Sequence, residues 1–301
     1  MSDPSPLVSI VVPVYNGSNY LRDAIESALG QTYCPLEIVV VNDGSNDGGK
    51  TDEIARSFLP RIRYVTKDHG GVGSALNRGI AEATGAYVSW LSHDDTLRPD
   101  KLSRQVDVMT GERLTRTLIF GDFEVHDVEA NRRYTLRMPR SCLDDRQGFA
   151  VLTLLFTARL HGCTLLIPRA CLAEVGPFSE HLRTTQDYDL WFRLFAAGYR
   201  FRYVRAVALT SRLHAQQGTR VMRDIHGTEA VALYERALVD LRPSLRRLPP
   251  RCAYRITRSL RARGFEGAAG VFLAQWAAGS RARGLGTRLL RALAGPGRRH
   301  R

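Results

Sequence analysis

Acidic residues in this chain gather where apolar runs end. "VVVNDGS" closes on Asn42, Asp43 and Gly44, "WLSHDDTLRP" carries Asp94 and Asp95 behind His93, and "QDYDLW" opens with Gln186 and Asp187. Adjacent carboxylates repel unless a cation neutralises them. Oxygen donors of this kind suit Mg2+ or Mn2+, which proteins hold with one or two carboxylates plus phosphate oxygens. The same residues are compatible with a helix start before "LRPDKL", with an Asp or Thr96 as its cap. Asp43, in a tight turn, can accept from an N–H edge such as N3 of uracil or thymine, or can simply favour the turn. Asp187 begins an amphipathic pattern, where an Asp also serves as a cap. His214, in "SRLHAQQGTR", is compatible with a structural role when taken alone.

The elements that must position these groups follow from apolar patterning. "LVSIVVPVY" and "LEIVVVN" are continuous β-branched runs, as buried parallel strands are. Between them Leu21, Ile25, Ala28 and Leu29 keep helical spacing after a Ser18 cap. A helix around Asp52–Phe58, a strand "RIRYV", a Gly-rich turn into a helix ending by Gly85, and a strand "AYVSWL" follow. This alternation predicts an α/β, Rossmann-like, doubly wound, mostly parallel sheet. Ligands of such sheets bind beyond the carboxyl ends of the strands, so Asp43, Asp94 and Asp95 should converge on one edge. Beyond Pro99 the pattern predicts strands at "TLIFGDFEVHD" and "RRYTLRM", read as an antiparallel region. Then come a strand and short helix in "CTLLIPRACLAEVG", a helix in "TTQDYDLWFRLFAAG", one or two strands in "YRFRYVRAVALTSRLH" and a helix over Met222–Leu241. Trp191 shares a helical stripe with Leu194 and Phe195 and reads as core; Tyr188 stays open.

Taken in order and at these spacings, "VSIVVPVYNG", "VVVNDGS", "SHDD" and "QDYDLW" resemble the family 2 glycosyltransferases of GT-A fold, over Leu7 to Arg220. The resemblance implies an inverting enzyme of the hexosyl or related sugar transferase class, working in cell-surface polysaccharide or glycan biosynthesis. Pro13, Tyr15 and Asn16 would line the nucleoside pocket and Asp43 would read the base. Asp94 would meet the ribose or the metal, Asp95 would ligate Mg2+ or Mn2+, and Asp187 would be the catalytic base. His214, in Arg212-Leu213-His214, matches the family's frequent "RxH" and would approach the metal or diphosphate. The chain departs from the pattern at His93, where a strict DxD has an acid, and at Gln186, where an acid usually precedes the base. The implied partners are a UDP- or dTDP-sugar donor and a glycan or lipid-linked acceptor.

Charge divides the chain. Residues 242–301 hold 15 arginines and one acid, Glu266, whereas the first 241 residues hold 28 basic and 29 acidic side chains. Together with "RPSLRRLPPR", this predicts a catalytic domain over 1–241 and an Arg-rich helical extension over 242–301. Leu285, Leu289 and Leu293, with Arg288 and Arg291 between them, suit an amphipathic helix on an anionic membrane surface. Five scattered cysteines without a CxxC pair argue against a disulfide framework or zinc site. No basic region precedes the first apolar run, and no apolar run reaches the roughly 18 residues of a membrane span. The expectation is a cytoplasmic protein, peripheral at the inner face of the membrane. "GGVGSAL" lacks the third glycine of a dinucleotide fingerprint and does not follow the first strand, which argues against a dehydrogenase. The near-neutral body argues against a nucleic-acid partner. The competing reading is a catalytically weak nucleotide- or polyanion-binding protein that uses the basic tail.

Overall fold

The run "VSIVVPV" forms β1 (Val8–Val14), buried at every position. In the computed structural model residues 5–143 and 145–279 are described. From β1 the chain runs through α1 (Leu21–Leu29), β2 (Leu36–Asn42), α2 (Lys50–Arg56), β3 (Arg63–Thr66), α3 (Val72–Glu82), β4 (Tyr87–Trp90), β5 (Thr96–Leu97) and α4 (Lys101–Gly111). It continues through β6 (Thr117–Asp127), β7 (Arg132–Leu136), α5 (Phe149–Phe156), β8 (Ile167–Pro168), α6 (Ala170–Val175), α7 (Gln186–Ala196) and β9 (Arg200–Leu213). Five further helices close it: α8 (Gly218–Val221), α9 (Arg223–Asp240), α10 (Arg242–Leu245), α11 (Pro250–Ala262) and α12 (Glu266–Gly279). Two units separate, one holding 5–143 and 161–226, the other 145–160 and 227–279 among the described residues.

The larger unit has two sheets. The first runs β3-β2-β1-β4-β8, parallel except for β8, which pairs antiparallel with β4. Helix α3 lies close against β1 because residue 79 is glycine; a Cβ there would overlap Val11 Cγ1. The second sheet runs β5-β9-β6-β7. Strands β6 and β7 are antiparallel, as expected, but β6 and β9 run parallel along their whole length. At the Gly121–Asp122 step the β6–β9 register slips, and a Cβ on Gly121 would sit 2.7 Å from Ala206 O. Glycine thus makes room for the bulge that lets β9 continue toward Arg212 and His214.

Two cap expectations fail. Tyr20, not Ser18, precedes α1 and offers no side-chain cap bond, because the Gly17 carbonyl accepts from the N–H groups of Tyr20 and Leu21. Thr96 lies in β5, paired with Thr210 of β9, and α4 begins only after Asp100. The carboxylates of "HDD" therefore do not start a helix.

One buried charge stands apart. Lys101 is 2% exposed, and its Nζ donates to Ser89 Oγ (2.6 Å) and to Leu165 O (3.3 Å). Burial pulls its pKa down to about 7. Between that value and the unfolded value near 10.4, the unfolded chain holds a proton that the folded chain lacks, so stability rises with pH across this window. Lys101→Met keeps the volume and removes the buried amine. It is expected to stabilise the fold at pH 7 by about 2 kcal/mol, a gain that shrinks toward pH 10 in pH-dependent denaturant titrations. A variant less stable than wild type at pH 7 would assign the two Lys101 hydrogen bonds the larger weight.

The smaller unit is helical. Phe156 of α5 stacks at 5.7 Å on Tyr234 of α9 and meets Phe272 of α12 at 6.2 Å. Trp276 Nε1 donates to Leu248 O (2.8 Å). The segment "RPSLRRLPPR", read as a boundary, contains α10, and Pro250 opens α11 at a position where the missing N–H costs nothing. Among the described residues no helix is long and apolar enough to cross a membrane. The Leu285–Leu293 pattern lies outside the described residues.

Candidate active site

A cavity of about 720 Å³ opens at the carboxyl ends of β1, β2 and β4. Pro13, Tyr15, Asn16, Asp43, Asp94, Asp95 and His214 all line it, although they come from four separate stretches of chain. The strand-end rule explains this: parallel strands that leave the sheet together bring their following turns to one edge.

Asp43 is 2% exposed and heavily partnered. Its Oδ1 accepts from Lys67 Nζ (2.7 Å) and Gly70 N (3.0 Å). Its Oδ2 accepts from Gly71 N (2.7 Å) and lies 3.0 Å from His69 Nδ1. These four contacts occupy about as many sites as a carboxylate has lone pairs. Asn42 Oδ1 fixes the turn by accepting from Ser45 N (2.9 Å), and Gly44 adopts a positive φ of 72°. Tyr15 packs on His69 with ring centroids 4.2 Å apart and the planes tilted by 34°, which places an exposed aromatic ring beside Asp43. Asn16, at φ 50°, lines the cavity and exchanges side-chain and backbone bonds with Asn46. It ties the "YNG" turn to the "GSND" turn.

The two aspartates of "HDD" face different partners. Asp94 Oδ2 lies 3.0 Å from His214 Nε2. Asp95, 2% exposed, accepts at Oδ1 from the Arg212 backbone N–H (2.9 Å), and its Oδ2 faces His161 Nε2 at 3.6 Å. Burial first, then the neighbouring Asp94 charge, raises the Asp95 pKa well above the usual carboxylate range. Arg212 completes a clasp: Nη1 donates to Asp94 O (3.1 Å) and Nη2 to Asp23 Oδ2 (2.6 Å), with the guanidinium 4.7 Å above the Tyr20 ring. Arg212 and His214 thus hold the turn from the end of β9. His93 lines the same cavity and packs so closely on the preceding turn that a Cβ on Gly17 would sit 2.6 Å from its ring.

Two donor sets are candidates for a cation. Asp95, His161 and Cys163 bring ligand atoms within 4.8 Å of one another. However, the Cys163 N–H donates to His161 Nδ1 (3.3 Å), which assigns the ring proton to Nε2, the atom facing Asp95. A metal-bound histidine donates from its second nitrogen, so this ring is set up as a donor to Ser211 Oγ (3.2 Å), with Asp95 beyond, rather than as a ligand. Burial holds its pKa down at about 4. Asp94 with His214 is the second set: their 3.0 Å hydrogen-bond separation is also that of adjacent ligands on an octahedral ion with bonds of about 2.1 Å, and both line the cavity.

Asp187 sits in the first turn of α7, half-buried, with Oδ1 accepting from Tyr188 N (2.8 Å). Burial pushes its pKa up to about 6. The segment entering α7 contributes Arg183, Thr184 and Gln186 to the cavity wall; Asp187 is the next residue but is not part of that wall. Trp191 is fully buried and belongs to the core, 6.2 Å from Phe178. Sequence reasoning missed Lys67, His69, His161 and Arg183. The first two follow β3, so the same strand-end rule could have found them in "TKDHGG".

Comparison with known proteins completes the picture. The sequence profile described as "Glycosyl transferase family 2" matches residues 9–164. A Rickettsia bellii protein described as an uncharacterized glycosyltransferase is 43% identical over 236 residues, covering 78% of this chain and 34% of its own length. The chain thus spans about a third of the length of the first curated relatives it matches. Among solved structures, S. aureus TarS in complex with UDP-GlcNAc superposes with a TM-score of 0.58 at 16% identity, covering 93% of this chain and 92% of that one. Mannosyltransferase PcManGT of Pyrobaculum calidifontis, in complex with GDP-Man and Mn2+, superposes with a TM-score of 0.57 at 19% identity, covering 96% and 79%. At these identities the likeness shows the fold, that of the GT-A glycosyltransferases.

Proposed function

The chain belongs to glycosyl transferase family 2, and on that premise we propose that it transfers a sugar from a nucleotide-diphosphate sugar to an acceptor hydroxyl with inversion at the anomeric carbon. The observation that carries this reading is one cavity lined by Asp43, whose carboxylate Lys67 backs, and by the Asp94–His214 pair. The first suits a base and the second a divalent cation.

A carboxylate acceptor beside an ammonium donor complements an N–H flanked by a carbonyl. Uracil and thymine present that ring N–H at N3 and guanine at N1, whereas adenine and cytosine carry an unprotonated ring nitrogen there and donate only from an exocyclic amine. The base N–H enters by displacing one of the donors on Asp43, and Lys67 and His69 are the two that belong to side chains. Tyr15 and His69 offer a face for stacking. Asp94 and His214 would hold Mg2+ or Mn2+, with Asp95 behind them supporting the clasp. Such an ion, when bound, stabilises negative charge on the departing diphosphate. Asp187 removes the acceptor proton at its carboxylate. We assign these roles to residues 1–241 and treat 242–301 as an extension that meets an anionic membrane. The acceptor would be a glycan or a lipid-linked sugar of a cell-surface polymer, reached from the cytoplasmic side.

A thermal-shift panel with Mn2+ tests the base assignment. UDP- and dTDP-sugars are expected to raise the unfolding midpoint, with GDP-sugars the only other class able to do so. ADP- and CDP-sugars should leave it unchanged. A shift with ADP-sugar equal to that with UDP-sugar would remove Asp43 as the reader of the base.

A further inference from the structure

Helix α11 has two opposed faces. Ala253, Ile256, Thr257 and Leu260 are buried, whereas Arg251, Arg255 and Arg258, with Tyr254 beside them, are exposed. At about 100° per residue the three arginines fall within an arc of about 60°, opposite the buried residues. Among the described residues none of the three makes a side-chain ion pair or hydrogen bond. Neutralising partners are scarce nearby in sequence: residues 242–279 hold eight arginines and one acid, Glu266, which lies 3.4 Å from Arg261. Arg242, Arg246 and Arg247 are exposed as well.

We propose that the Arg251–Arg255–Arg258 face of α11 is a docking surface for anionic phospholipid. The inference rests on the proposed membrane contact of residues 242–301 and not on the transfer reaction. Charge complementarity is its first support: three unpaired guanidinium groups on one side of a helix match a plane of phosphate headgroups. The character of the chain that follows is its second. Beyond the described residues the sequence mixes arginine with Leu285, Leu289 and Leu293. A bilayer interface accommodates those leucines, whereas a nucleic-acid backbone has no use for them. Tyr254, at the edge of the arginine arc, suits the boundary between headgroup and hydrocarbon.

The test is co-sedimentation of the full chain with phosphatidylcholine vesicles, with and without phosphatidylglycerol. Wild type should bind only the anionic vesicles. The variant Arg251→Gln/Arg255→Gln/Arg258→Gln should bind them about a hundredfold more weakly, each surface arginine being worth roughly a fivefold factor. Its thermal unfolding should match wild type, because the three side chains are exposed. If the triple variant binds as wild type does, the face assignment is wrong while the membrane reading stands. If wild type ignores anionic vesicles altogether, the membrane reading itself fails. Duplex DNA that displaces wild type from the vesicles, and binds it through the same arginines, would make this a nucleic-acid surface instead. Should the triple variant not fold, a salt titration of wild type decides: binding must weaken as ionic strength rises, and salt-independent binding overturns the proposal.

Discussion

Asp187→Asn is expected to lower sugar transfer by about a thousandfold while leaving nucleotide affinity within about twofold of wild type. The asymmetry follows from position. Asp187 lies next to the cavity wall, not in it, so the donor nucleotide does not depend on its charge. The pH profile gives an independent check. Burial raises the Asp187 pKa to about 6. The base acts when ionised, so the rate should sit on a plateau above that value and fall about tenfold per pH unit below it. The asparagine variant should lose this limb along with its activity. A variant with full turnover, or a wild-type profile flat down to pH 5, would move the base elsewhere. Asp189, two residues on, is already committed to Arg193 at 2.8 Å and is a poor substitute.

The parts of this architecture that could be read from sequence are those where one residue type repeats for a local reason. Strands β1 and β2 are continuous apolar runs because both faces of a parallel sheet are covered, and their limits were legible to within a residue or two. The convergence of Asp43, Asp94 and Asp95 was legible too, since topology alone sends strand ends to one edge. What escaped depends on contacts made far along the chain. The parallel pairing of β6 with β9 joins segments about eighty residues apart and includes a bulge at Gly121 that no period reveals. His161 enters the cavity from a turn outside any strand of the first sheet, pinned by Lys101 and Gln105 through the carbonyls of Leu165 and Thr164. The partners that separate Asp94 from Asp95 were likewise invisible. Neighbours in sequence, they point to different partners because β9 arrives to take the Asp95 Oδ1.

That difference sets the second large effect. Asp94→Ala is expected to abolish the gain in nucleotide affinity that Mn2+ provides, a loss of about a hundredfold in titrations with and without the ion. Asp95→Asn should keep the ion-dependent gain. Its Oδ1 can still accept from Arg212 N–H, and the amide carries no charge that burial must oppose. The resemblance to the family implied Asp95 as the ligand, and the geometry of the pair favours Asp94, so the two variants separate the assignments. Loss of the Mn2+ effect in Asp95→Asn with its retention in Asp94→Ala would return the ion to Asp95. His214→Ala extends the argument. It removes the nitrogen 3.0 Å from Asp94 without touching the Arg212 clasp. If the ion lies between the two residues, this variant must weaken Mn2+ dependence in the same direction as Asp94→Ala while leaving the metal-free nucleotide affinity in place.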